Sequence, residues 1–74
     1  MIKMSNISVT VRLIGSKRRE KLEISSRAKV IDLLKLLGQN PQVVVVRRNG
    51  KIVTEGERLA EGDLIEILPV VTGG

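Results

Sequence analysis

A single segment with helical periodicity, set between two groups of strand-like segments, constrains the fold of this chain more than any other feature. Four apolar residues in that segment have the i, i+3, i+4, i+7 spacing of a helix packed on one side: Val30, Leu33, Leu34 and Leu37. Either Ser25 or Ser26 is predicted to cap the helix, which then begins between Arg27 and Val30. Gly38 suits the left-handed conformation that ends a helix. The sequence therefore predicts one short amphipathic helix.

Two strands are predicted before this helix. Residues 7–13 alternate between apolar and polar side chains, which is typical of a strand with one buried face. Gly15 and Ser16 supply a turn, and Leu22 and Ile24 then resume the alternation. The two segments are therefore predicted to form a hairpin.

Three more strands are predicted after the helix. Residues 43–46 are all valine, which suits a central strand that is apolar on both faces. Asn49-Gly50 is the strongest short hairpin signal, because both residues tolerate a positive φ, and it leads into a short strand at 52–53. A polar loop at 54–63 precedes the last predicted strand, Leu64 to Leu68.

The order of predicted elements is strand, strand, helix, strand, strand, strand, within one small domain. A helix between two hairpins can cross one face of the sheet that the hairpins form. We therefore predict an α+β fold of the β-grasp (ubiquitin-like) type, a mixed sheet of about five strands with one helix packed across it. Residues 1–68 are predicted to form the domain. Residues 69–74 are predicted to form a flexible C-terminal tail, because Pro69 cannot donate a hydrogen bond to a sheet.

The composition excludes most kinds of catalysis by this chain alone. The chain has no Cys and no His, so it lacks a thiol nucleophile, the commonest general base and the commonest zinc ligands. It also lacks the aromatic residues on which nucleic-acid bases stack. We therefore expect no enzymatic activity, no metal site and no bound cofactor. The longest apolar run is too short to cross a membrane and nothing resembles a signal peptide, so the default expectation is a cytoplasmic protein without membrane contact.

The tail ends in Gly73-Gly74, and this diglycine can have a function that requires no reactive side chain in the tail. A Cβ on either residue would collide with the walls of a narrow channel, whereas two glycines can thread into it as an extended segment. A partner enzyme with such a channel can bring the carboxylate of Gly74 to a nucleotide phosphorus or a cysteine thiol. The alternative is a frayed terminus that ends in glycine by chance. We favour the first interpretation because the diglycine directly follows the last β-grasp strand.

Four segments carry a resemblance to a known family: Val30-Ile31-Asp32-Leu33-Leu34, Asn49-Gly50, Gly62-Asp63 and Gly73-Gly74. In this pattern the chain resembles the sulfur-carrier proteins of thiamine and molybdopterin synthesis, the ThiS/MoaD family, which includes the ubiquitin-like small modifiers of archaea. The resemblance implies that an adenylating, ubiquitin-activating-like enzyme uses ATP to adenylate Gly74, which is then converted to a thiocarboxylate. The tail residues that such an enzyme would recognise are Gly73, Thr72, Val71, Val70 and Pro69.

The resemblance leaves two uses of Gly74 open. As a sulfur carrier, the chain would meet sulfur donor or acceptor enzymes and supply sulfur for cofactor biosynthesis or tRNA thiolation. As a ubiquitin-like modifier, it would be joined through Gly74 to the lysines of target proteins. We rank sulfur carriage first, and the sequence does not separate the thiamine, molybdopterin and tRNA pathways.

A hypothesis from a different class is an RNA-binding β-grasp module. It would use two basic clusters, Lys17-Arg18-Arg19 with Lys21 and Arg47-Arg48 with Lys51. Direct binding of nucleic acid is disfavoured, because the formal net charge is only +5 and aromatic residues are absent. We favour the simpler interpretation that these charges solubilise turns and protect edge strands.

Recognition of the tail alone would be weak, so a docking surface for the partner is expected on the sheet. If Glu66 faces water, Leu64 and Leu68 share its face of the last strand. The all-valine strand must also turn two residues outward, either Val43 and Val45 or Val44 and Val46. We assign the partner surface to four aliphatic residues: Leu64, Leu68, Val44 and Val46. The alternative is that a loop covers them or that they are scattered apolar residues.

Overall fold

The computed structural model describes residues 5–15 and 18–70. The elements in chain order are β1 (Asn6–Leu13), β2 (Arg19–Ser25), α1 (Val30–Leu36), a 3₁₀ turn (Pro41–Val43), β3 (Val44–Arg48), β4 (Lys51–Val53) and β5 (Leu64–Pro69). Within these described ranges, no helix is long and apolar enough to cross a membrane.

The five strands form one mixed sheet in the order β2-β1-β5-β3-β4. Strands β1 and β5 are parallel, and the other neighbouring strands are antiparallel. α1 packs on one face, where its buried residues meet apolar side chains of β1, β3 and β5. The core consists of Val9, Val11, Ala28, Val30, Leu33, Leu34, Val46, Leu59, Ile65 and Ile67. The predicted β-grasp fold is confirmed.

α1 begins at Val30, and the predicted serine cap is wrong. Asp32 in the first turn accepts a hydrogen bond from the backbone N–H of Lys29 at 2.9 Å, which satisfies a helix-end donor and places a negative charge near the positive end of the helix dipole. Ser25 instead accepts a bond from the backbone N–H of Arg27, in the turn that precedes the helix.

The reversals that end α1 and β3 each use a positive φ. Gly38 has φ +71°, and its N–H bonds the carbonyl of Lys35 after the last helical turn. Asn49 and Gly50 have φ values of +52° and +86°, the signature of a type I′ turn between β3 and β4. The hairpin predicted from Asn-Gly is therefore confirmed.

The predicted outward orientation of Val44 and Val46 is wrong. Val46 lies directly opposite Ile67 of β5, and both side chains are buried under α1. Val44 lies on the same face and packs against the core. Because side chains alternate along a strand, Val45 is the valine of β3 that faces away from the helix.

Candidate functional site

The root of the C-terminal tail lies at the end of β5. The strand includes Pro69, one residue past the predicted domain boundary, and the N–H of Val70 donates to the carbonyl of Val43 at 2.8 Å. Pro69 and Val70 are exposed although the backbone here is still attached to the β3 side of the sheet. The other predicted tail residues, Val71, Thr72, Gly73 and Gly74, lie outside the described residues.

The sheet face opposite α1, here called the outer face, carries the predicted docking residues of β5. Ile65 and Ile67 point into the core, so Leu64, Glu66 and Leu68 point to the outer face. Leu64 and Leu68 are half-buried there, and no helix packs above them in the described part of the chain.

Glu66 lies on the predicted face but does not face water, which corrects the prediction. Only 7% of it is exposed. The sheet register places Arg12 of β1 on one side of it and Arg47 of β3 on the other. Its Oε2 lies 3.5 Å from Arg12 Nη1, and its Oε1 lies 3.0 Å from Arg47 Nη2. Two guanidinium groups therefore cover the carboxylate, and a buried charge is tolerated because it is paired.

The outer face has two further aliphatic residues: Val45, which the sequence offered as the alternative to Val44 and Val46, and Ile52, which the sequence analysis did not assign to it. Val45 lies opposite Leu68 in the register and is half-buried. Ile52 lies opposite Arg47 on β4 and is 73% exposed. A run of four valines contains no alternation, so the hydrophobic pattern could not distinguish the two faces of β3. The position of the Asn49-Gly50 turn and the burial of Ile67 together fix that register.

The second predicted basic cluster is largely engaged in ion pairs. Arg47 pairs with Glu66, and Arg48 Nε lies 3.1 Å from Oδ2 of Asp63, which is 5% exposed. Arg48 Nη1 also donates to the carbonyl of Arg58 at 3.0 Å. These contacts give the two arginines a structural role in the sheet.

Among the residues that the structure describes, no group of three or more His, Cys, Asp or Glu side chains is placed to hold a metal ion. The polar side chains that converge on Glu66 and Asp63 pair with one another. The arrangement presents a sheet face for contact and, beside it, the root of a tail that ends in two glycines.

Comparison with known proteins places this geometry in a family. A model of the ThiS family matches residues 10–74, which include the terminal diglycine. The sulfur carrier protein TtuB of Thermus thermophilus is 30% identical over 56 residues, covering 76% of this chain and 86% of the relative.

Solved structures share the fold over nearly the whole chain. SAMP1 from Haloferax volcanii superposes with a TM-score of 0.69 at 29% identity, covering 90% of this chain and 99% of that one. The ubiquitin of Caldiarchaeum subterraneum superposes with a TM-score of 0.70 at 16% identity, covering 95% of this chain and all (100%) of that one. The second likeness concerns the fold alone.

Proposed function

The chain belongs to the ThiS family, and from this premise we propose that it is a sulfur carrier whose reactive group is the C-terminal carboxylate of Gly74. The observation that carries the proposal is the family match, which extends through Gly73 and Gly74. The similarity to a sulfur carrier protein over most of both chains supports it. The family consists of small carriers, so the catalytic groups belong to the partner enzymes.

The proposed chemistry begins with an adenylating enzyme that binds ATP and the tail. The carboxylate oxygen of Gly74 attacks the α-phosphorus of ATP, and pyrophosphate leaves. A persulfide sulfur of a donor protein then attacks the carbonyl carbon of the acyl-adenylate, and AMP leaves with the bonding electrons. A thiol of the partner cleaves the resulting acyl disulfide, which leaves a thiocarboxylate on Gly74 and a disulfide on the partner. This chain has no Cys, so every thiol in these reaction steps comes from its partners.

The proposed chemistry requires of this chain only that the carboxylate of Gly74 can reach the active site of the partner enzyme. Glycine at the last two positions leaves the acyl carbon free of neighbouring Cβ atoms. Residues from Pro69 to Thr72 are proposed to enter the partner as an extended segment. Leu64 and Leu68, with Val45 and Ile52 in place of the two inward valines, are proposed to hold the domain on the enzyme. Neither step needs a cofactor on this chain.

The test is an ATP–pyrophosphate exchange assay with the activating enzyme of the same organism. The intact chain is expected to support exchange, and a chain that lacks Gly73 and Gly74 is expected to give only background. Addition of a sulfur donor is expected to raise the mass of the intact chain by the exchange of one oxygen for sulfur. Absence of exchange with the intact, folded chain contradicts the proposal.

The same activated carboxylate can serve conjugation, which is the second candidate. A lysine amine that attacks the acyl carbon in place of sulfur gives an isopeptide bond to Gly74. Mass spectrometry of tryptic peptides distinguishes the two uses. Trypsin cuts after Arg58, so conjugation leaves residues 59–74 on a target lysine, whereas sulfur carriage leaves none.

A further inference from the structure

The centre of the outer face is a row of charged side chains rather than an apolar patch. Arg12, Glu66 and Arg47 lie side by side on β1, β5 and β3 because the register pairs Arg12 with Glu66 and Glu66 with Arg47. The carboxylate is buried beneath them, whereas the side chains of the arginines remain 39% and 37% exposed. We call these three residues the arginine platform.

The platform retains donors that its own carboxylate does not use. Each guanidinium has five N–H groups, and the side-chain contact of each to Glu66 is made through one terminal nitrogen, Nη1 of Arg12 and Nη2 of Arg47. Two positive charges face one negative charge, so the platform carries a net charge of about +1. Glu66 holds both guanidinium groups against the sheet, which lowers the conformational entropy that they lose when they bind a partner.

The surroundings of the platform favour a protein surface as its partner. Leu64 lies on one side along β5, and Leu68 with Val45 lies on the other. Ile52 extends the same row beyond Arg47. An acidic residue surrounded by aliphatic side chains complements this pattern, because the apolar contacts exclude water from the ion pair and strengthen it. A nucleic acid backbone offers phosphates but no aliphatic groups for the leucines and valine.

We propose that the arginine platform receives a carboxylate of the activating enzyme and that Arg12 is a specificity-determining contact for docking. The inference rests on the proposed function, since it takes the activating enzyme as the partner. Arg12 is the better probe of the two arginines, because its contact with Glu66 is longer and its removal leaves Glu66 paired with Arg47 at 3.0 Å.

The test compares Arg12→Gln with Lys35→Gln in the adenylation reaction of the cognate enzyme. Both variants lose one positive charge, but Lys35 is exposed on α1, on the opposite side of the sheet. We expect Arg12→Gln to raise the KM for the chain about tenfold with kcat nearly unchanged, because a docking contact acts on binding. Lys35→Gln is expected to change KM less than about twofold, as long-range steering is screened by salt.

The outcomes separate this inference from the proposed function. If the intact chain is not adenylated, both fail. If it is adenylated and the two variants have equal KM values, only the platform inference fails.

Thermal unfolding verifies that both variants are folded. Should Arg12→Gln not fold, Arg12→Lys takes its place: it keeps the charge but loses the planar fork, and an unchanged KM overturns the inference. A second result would also overturn the inference. If the intact chain binds single-stranded RNA and Arg12→Gln abolishes that binding, the platform recognises phosphate and not a carboxylate.

Discussion

At the scale of single residues, Asp63 joins segments that are distant in sequence. One carboxylate oxygen accepts a hydrogen bond from the backbone N–H of Ala60 at 2.8 Å, and the other accepts a hydrogen bond from Nδ2 of Asn49 at 3.0 Å. Arg48 Nε lies 3.1 Å from the first of these oxygens. Asn49 in turn accepts the backbone N–H of Leu64, so the β3–β4 turn is tied to the start of β5. The register that sets the outer face therefore depends on a buried carboxylate.

Asp63→Asn tests that dependence with almost no change of shape. The amide loses the charge and replaces one acceptor with a donor, so a buried hydrogen-bonding group is left unpaired. We expect the free energy of unfolding to fall by roughly 2 kcal/mol in urea denaturation. The control is Glu55→Gln, an exposed carboxylate in the same loop, which is expected to change it by less than about 0.5 kcal/mol. Equal losses in the two variants would show that the network contributes little.

At the scale of elements, the β3–β4 hairpin depends on a left-handed backbone conformation at Gly50. Gly50 has φ +86°, and a Cβ built at this position has no heavy atom within 4 Å. A side chain there therefore meets open space, and its cost comes from the left-handed conformation alone. Gly56 provides a matched comparison, because its φ lies outside the left-handed region and its Cβ would meet only Thr54 Oγ1 at 4.0 Å.

Gly50→Ala is expected to lower the free energy of unfolding by about 1 kcal/mol, since alanine is strained at a positive φ. Gly56→Ala is expected to leave it unchanged or to raise it by up to about 1 kcal/mol, because alanine restricts the unfolded chain. Chemical denaturation of both variants measures the difference. A loss at position 56 equal to that at position 50 would show that the positive φ of Gly50 does not determine the cost of its substitution.

At the scale of the whole molecule, folding and function are expected to reside in different parts of the chain. The buried core lies between Val9 and Ile67, and the last described backbone bond to the sheet is that of Val70. Removal of Gly73 and Gly74 is therefore expected to change the free energy of unfolding by less than about 0.5 kcal/mol while it abolishes adenylation. A large loss of stability would contradict this separation of fold and reactive end.

Local sequence patterns predicted the helix and strands of this molecule. The features that they did not predict, such as side-chain burial on the outer face, depend on the pairing of strands that are distant in sequence. The stripe that includes Val30 and the Asn49-Gly50 turn were sufficient to predict the helix, one hairpin and the fold. The burial of Glu66 was not predictable, because it depends on Arg12, 54 positions away, being placed beside it by the parallel pairing of β1 and β5. The orientation of the valines in β3 was likewise a property of the sheet register, so that only Leu64 and Leu68 of the four residues assigned to the partner surface lie on the outer face.

The intact mass of the chain purified from its native source tests the central claim most directly. The account predicts a population heavier than the sequence by the exchange of one oxygen for sulfur, with fragmentation placing the change at the carbonyl of Gly74. Treatment with an alkylating reagent should label that species, although the chain has no Cys. A terminus that is unmodified in every preparation, with no adduct or conjugate on Gly74, would contradict the account.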